Sequence, residues 1–186
     1  IVIADVCGHD VEAAEYTSMG KHVIRAYARD CESPALVLKK TNALICEDTR
    51  AEVFISTFYG VLDLETGKLR YANAGCERPI LYRAEDKSTV KLEADGMLLG
   101  IRGGMEFEER EVQLFSGDVV AMFTDGLTEA GVDKQRFGSD RVANALARSA
   151  HLGAQRIADS IYNTIFEFVH GRITDDVAMV ILKIAL

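Results

Sequence analysis

Three apolar runs in this sequence carry aspartate at one end. Asp5 follows Ile1-Val-Ile-Ala4, Asp125 follows Val119-Val-Ala-Met-Phe-Thr124, and Asp175-Asp176 precedes Val177-Ala-Met-Val-Ile-Leu-Lys-Ile184. Runs of this composition read as strands, so each acid stands where a strand meets a turn. If those strands are neighbours, the carboxylates converge. Clustered carboxylates repel as bare anions and need a counterion, and a set made only of oxygen donors suits Mg²⁺ or Mn²⁺ better than zinc. Two such ions roughly 3.5 to 4 Å apart would activate water and hold both oxygens of an in-line phosphoryl displacement. Taken singly, each aspartate also reads as a turn or cap residue.

The first run brings two further groups. Gly8 lets the backbone turn sharply or approach a ligand closely, and His9 follows it directly. Ile1 to Ala4 has the β-branched composition of a strand covered on both faces, which would deliver Asp5 and His9 to a site. Asp10 is the expected N-cap of a helix from Val11 to Ala28, with Val11, Ala14, Met19, Val23, Ile24 and Tyr27 at helical spacing. Gly20 is the point where that helix would weaken or bend. Ser33-Pro34 opens a second helix to about Glu47, expected to bury Leu36, Val37, Ala43 and Leu44.

The period then changes. Val53 to Leu62 and Leu69 to Ala74 read as a hairpin across Leu64-Glu-Thr-Gly-Lys68, and Pro79 to Arg83 with Thr89 to Glu93 as a second. Phe107 to Leu114 is another strand, and Ser116-Gly-Asp118 turns the chain into the run that ends at Asp125. Two helices follow, one opened by Phe137-Gly-Ser139 and one from about Ala154 to His170, which Gly171 closes. The expected fold is α+β, a layered sandwich in a single domain over residues 1–186. A buried strand beginning at residue 1 looks like a domain entered partway through.

The composition narrows the partners. With 21 Lys+Arg against 29 Asp+Glu the formal net charge is −8, and no basic cluster stands out, which argues against nucleic acid and anionic membranes. No run is long enough to span a membrane, and no signal peptide precedes the first strand, so a cytoplasmic protein or the soluble part of a larger one is expected. The four cysteines, Cys7, Cys31, Cys46 and Cys76, form no CxxC pair, which speaks against zinc and a redox dithiol. A cysteine nucleophile at Cys7 or Cys76 lacks an evident activator in sequence, and there is no CxxxxxR phosphate loop.

Five ordered segments carry a resemblance. Asp5-Val-Cys-Gly-His-Asp-Val-Glu-Ala-Ala14 resembles the DVxGHGxxAA segment of the SpoIIE-like bacterial branch of the metal-dependent (type 2C, PPM) Ser/Thr protein phosphatases. Asn73 to Arg83 resembles that family's NAGHxPPLLYR hairpin, Gly96 to Ile101 its GLPLGI loop, Gly117 to Ala130 its GDxLLLYTDGLTEA strand, and Asp175 to Lys183 its closing DDxTLLVLR. The resemblance implies a four-layer αββα sandwich with two Mn²⁺ or Mg²⁺ ions. It also implies that Asp5 bridges both ions, that the carbonyl of Val6 completes one shell, and that Asp125 and Asp175 bind one ion each. Asp176 would orient ligands or waters. His9 matches a histidine that either protonates the leaving group, holds a metal-bound water or hydrogen-bonds the turn.

The implied activity is hydrolysis of phosphoserine or phosphothreonine on a regulatory protein of the anti-sigma-factor-antagonist kind, with an upstream sensory or receiver domain and with a homodimer left open. Three departures favour an alternative, a weakly active or inactive scaffold that binds a regulatory partner. The family's upstream GGDFYD-like strand, which supplies another metal ligand, is absent, Asp10 replaces a glycine, and Cys76 replaces the histidine of NAGH.

Overall fold

In chain order the elements are β1 (Val2–Val6), α1 (Val11–Asp30), α2 (Pro34–Asp48), β2 (Ile55–Leu62), β3 (Lys68–Ala74), β4 (Ile80–Tyr82) and β5 (Thr89–Lys91). They continue with β6 (Glu109–Gln113), β7 (Val119–Phe123), α3 (Asp125–Thr128), β8 (Gly131–Val132), β9 (Gln135–Arg136), α4 (Ser139–Ser149), α5 (Ala154–Phe168) and β10 (Met179–Lys183). This computed structural model describes residues 1–8, 11–48, 53–132 and 135–185. His9, the Asp10 cap and the side chains of Val11 and Glu12 lie outside the described residues. The chain divides into two compact units, Ile1–Cys76 with Glu93–Gln113, and Glu77–Leu92 with Leu114–Leu186.

The first unit is an antiparallel sheet in the order β1-β2-β3-β6 with α1 and α2 on it. Its core joins Ile24 of α1 and Val37, Leu38 and Ile45 of α2 to Ile55, Ala72 and Ala74 of the sheet. The β2–β3 turn is fixed by Asp63, whose carboxylate accepts the N–H groups of Glu65 at 2.9 Å and Thr66 at 3.1 Å. Gly67 closes the turn at φ +71°, a conformation that favours glycine.

Four expectations for this unit are corrected. β1 is not covered on both faces: Ile3 and Val6 are buried, but Val2 is 41% exposed and Ala4 is exposed. β1 ends the sheet order, and with α1 it borders a cavity of about 150 Å³ whose lining includes Val2, Ala4, Tyr16 and Gly20. On α2 the buried face is Pro34, Val37, Leu38, Thr41, Asn42 and Ile45, leaving Leu36 and Ala43 exposed and Leu44 half-buried. Asn42 earns its place there by hydrogen bonding. Its Nδ2 donates to the carbonyl of Arg102 at 2.8 Å and its Oδ1 accepts the N–H of Gly100 at 2.9 Å, so burial leaves neither end of its amide unpaired. On α1, Ala14 is exposed, while Ala13, Tyr16 and Met19 pack on the core. Gly20 is buried in a continuous helix.

The second unit is a separate antiparallel sheet, β10-β7-β4-β5, with α4 and α5 packed on it. All five residues of β7 are buried. Phe123 shares a core with Phe137, which precedes α4, and with Val142, Leu146, Ile157, Ile161 and Ile165, which recur at helical spacing along α4 and α5. At the entrance to β7, Asp118 is buried and its charge is met by Arg83 Nη1 at 2.8 Å and by the N–H groups of Ala84 and Phe115. That network ties the end of β4 to the start of β7. The N–H of Gly171 donates to the carbonyl of Phe166 at 2.8 Å with φ +79°, closing the last helix as expected.

Candidate metal centre

Asp125 stands where the most deeply buried strand releases the chain. β7 runs without an exposed residue to Thr124, and the chain then folds into the single turn of α3. The carbonyl of Thr124 accepts the N–H of Leu127 at 3.1 Å, and that of Asp125 accepts Glu129 at 2.7 Å. Thr124, Gly126, Leu127 and Thr128 are buried while Asp125 is exposed. A carboxylate is therefore held outward on a backbone that cannot easily move. A four-residue helix has no usable period, so α3 left no mark in the pattern beyond the strand's end.

Asp175 and Asp176 lie beside this turn. β10 pairs antiparallel with β7, Met179 opposite Phe123, which brings the residues before β10 to the end where β7 releases Asp125. A Cβ on Gly126 would lie 2.3 Å from the carbonyl oxygen of Asp176 and 3.5 Å from the Cβ of Asp175, so only glycine permits this approach. The Asp175 carboxylate accepts the N–H of Asp176 at 2.8 Å, and both side chains are exposed. Thr128 completes the surroundings. Its hydroxyl lies 2.8 Å from Oε1 of Glu77 and 3.2 Å from the carbonyl of Asp125.

The remaining ligand candidates belong to the first unit. Asp5 is half-buried on β1 opposite Ser56, and Val6 is buried opposite Ile55. The structure thus packs the Asp175-Asp176 segment against the turn that carries Asp125, and places Asp5 and Val6 on another sheet. His9 lies outside the described residues. Among the described residues, no group of three or more His, Cys, Asp or Glu is gathered closely enough to hold a metal ion. The donors themselves, carboxylate and carbonyl oxygens, fit a hard divalent cation.

The segment around Cys76 is a locked turn. Asn73 Nδ2 donates to the carbonyl of Cys76 at 2.9 Å, and the N–H of Cys76 donates back to Asn73 Oδ1 at 2.8 Å. Gly75 takes φ +70°, and Gly96 packs so closely that a Cβ would lie 2.1 Å from the carbonyl of Asn73. Cys76 is 8% exposed, which is poor access for a nucleophile, and none of the four cysteines forms a disulfide. Among the described residues no helix is long and apolar enough to cross a membrane. Sequence reasoning missed Thr124, Gly126, Thr128 and Glu77 as supports of the acidic turn. The signal available was a hydroxyl on each side of Asp125-Gly126.

Comparison with known proteins agrees with this architecture. The family model for stage II sporulation protein E (SpoIIE) matches residues 1–185. Phosphoserine phosphatase RsbU of Bacillus subtilis is 27% identical over 183 residues, covering 98% of this chain, and the chain spans about half of that relative, 55%. The SiaA-PP2C domain of Pseudomonas aeruginosa superposes with a TM-score of 0.84 at 22% identity, covering 99% of this chain and 75% of that one. The catalytic domain of the serine/threonine protein phosphatase PstP, solved with two manganese ions, has a TM-score of 0.67 at 16% identity, covering 97% of this chain and 85% of that one. These likenesses establish a PP2C-type fold of helices and antiparallel sheets.

Proposed function

Because the chain belongs to the stage II sporulation protein E (SpoIIE) family, we propose that it is a metal-dependent protein serine/threonine phosphatase. Its substrate is phosphoserine or phosphothreonine on a regulatory protein of the anti-sigma-factor-antagonist kind. The observation that carries this reading is the outward-facing Asp125 on a buried turn, with Asp175-Asp176 packed against it through Gly126. The phosphoserine phosphatase relative supports the substrate class. Residues 1–186 act as one phosphatase-like domain in the cytoplasm, under an upstream sensory or receiver domain.

Asp5, the carbonyl of Val6, Asp125 and Asp175 would hold two Mn²⁺ or Mg²⁺ ions, as their oxygen donors suit a hard divalent cation. Bound there, the ions supply positive charge for the phosphoryl oxygens and lower the pKa of the attacking water. The chain's own groups do the rest. Asp176 orients the neighbouring ligand, with its N–H on the carboxylate of Asp175. His9 donates a proton to the departing serine or threonine oxygen, work that suits an imidazole near neutral pH.

The test is Mn²⁺-dependent phosphate release from a chromogenic phosphate ester by this chain and by Asp125→Asn. Metal-dependent turnover that falls at least about 100-fold in the variant is expected, since ligand loss should cost no less than loss of a ligand's support. Absence of both turnover and Mn²⁺ binding in the unsubstituted chain would instead favour the scaffold reading, for which the replacement of a histidine by buried Cys76 is the specific motive.

A further inference from the structure

Thr124 solves a local hydrogen-bonding problem at the exit from β7. The ladder with β10 is regular through Phe123 opposite Met179. One position further, the N–H of Thr124 donates to the carbonyl of Ala178 at 3.1 Å, as the ladder requires. The reciprocal bond is different. The Thr124 carbonyl has turned away to accept Leu127 and begin α3, so the N–H of Ala178 donates to Thr124 Oγ1 at 3.1 Å instead. The same hydroxyl lies 3.5 Å from the carbonyl of Asp176, to which it donates. A threonine before a helix ordinarily turns its hydroxyl onto the helix's own N–H groups. Here it makes no such cap. The hydroxyl is committed across the sheet, to the segment that follows Asp175.

We propose that Thr124 is a positioning residue whose hydroxyl sets the spacing of Asp125 and Asp175 and thereby the affinity of that pair for a divalent cation. This rests on the ligand roles assigned above. Gly126 removes the steric barrier to the approach, and Thr124 supplies the attachment that holds it. Thr124 is 3% exposed, so its loss falls inside the packed structure and not at a solvated rim. Valine preserves its shape and removes only the hydroxyl's chemistry, leaving the N–H of Ala178 without this acceptor. Serine keeps the hydroxyl.

The experiment titrates Mn²⁺ alone, by calorimetry and by the electron paramagnetic resonance signal of the unbound ion, into the unsubstituted chain, Thr124→Val, Thr124→Ser and Asp125→Asn. Thermal unfolding in chelator reports folding. Thr124→Val should bind Mn²⁺ about 10- to 100-fold more weakly, and Thr124→Ser should stay close to the unsubstituted chain. If Thr124→Val binds normally while Asp125→Asn binds weakly, the role of Thr124 is overturned and the metal-site reading stands. If Asp125→Asn binds normally, or the unsubstituted chain binds no Mn²⁺, the ligand assignment fails and this inference fails with it. Should Thr124→Val not fold, Thr124→Ala against Thr124→Ser makes the same comparison. Fast hydrogen exchange at the Ala178 amide of the unsubstituted chain would overturn the proposal without any variant.

Discussion

Asp125 stands just past the end of its strand and Asp5 one residue inside the end of β1, which runs on to Val6 where the sequence suggested an end at Ala4, and the two strands are supported differently. β7 lies inside its sheet, between β10 and β4, and every one of its side chains is buried. β1 ends its sheet order, shows Val2 and Ala4 to solvent, and borders a cavity. Packing density resists displacement, so a carboxylate at the end of β7 is held before any cation arrives, while one on β1 has a softer support. The difference teaches that a shared sequence signature, an apolar run ending in aspartate, does not imply a shared stiffness.

The comparison breaks most readily between a buried position of β7 and an exposed one of β1. Phe123→Ala should cost about 3 to 5 kcal/mol, because it empties a fully buried position, whereas Val2→Ala should stay within about 0.5 kcal/mol. Urea unfolding of the two variants measures both. Equal costs would mean that β1 is as firmly held as β7. Gly20→Ala sharpens the picture from the other side of the cavity. The added Cβ would sit 3.4 Å from Ile55 Cδ1, an ordinary contact, and alanine gains helix propensity, so stabilisation by about 0.5 to 1 kcal/mol is expected in thermal unfolding.

The smallest effect asks whether softness in the first unit is confined to β1. At the β2–β3 turn, the N–H of Thr66 and then that of Glu65 hold the Asp63 carboxyl below its ordinary value of 3.8. A depressed folded-state pKa contributes stability above the unfolded-state value and loses it as the pH falls through the folded one. Asp63→Ala should therefore lower the urea midpoint slightly at neutral pH, and the gap should close on acidification below the ordinary carboxylate range. A gap independent of pH would assign the turn's stability to something other than this charge.

Much of this was legible in the sequence. The acids at strand ends were visible because an apolar run marks a strand and its last residue marks the exit, and the register of β7 with β10 then puts two of the three together. The faces of α4 and α5 followed from spacing, since Ser149 is the one polar residue among those buried on the two helices. α2 misled because Thr41 and Asn42 are buried, and Asn42 repays its desolvation through the backbone of Gly100 and Arg102, far away in sequence. The role of Thr124 was hidden for a related reason. A β-branched residue after a strand looks like more strand, and nothing local says which way its hydroxyl bonds.

Gly126 gives the acidic turn a genetic character as well. A methyl group there would meet the carbonyl oxygen of Asp176 at 2.3 Å, and every other amino acid carries at least that carbon. Any missense change in this codon is thus a lesion in the backbone itself, felt on two segments fifty residues apart in sequence.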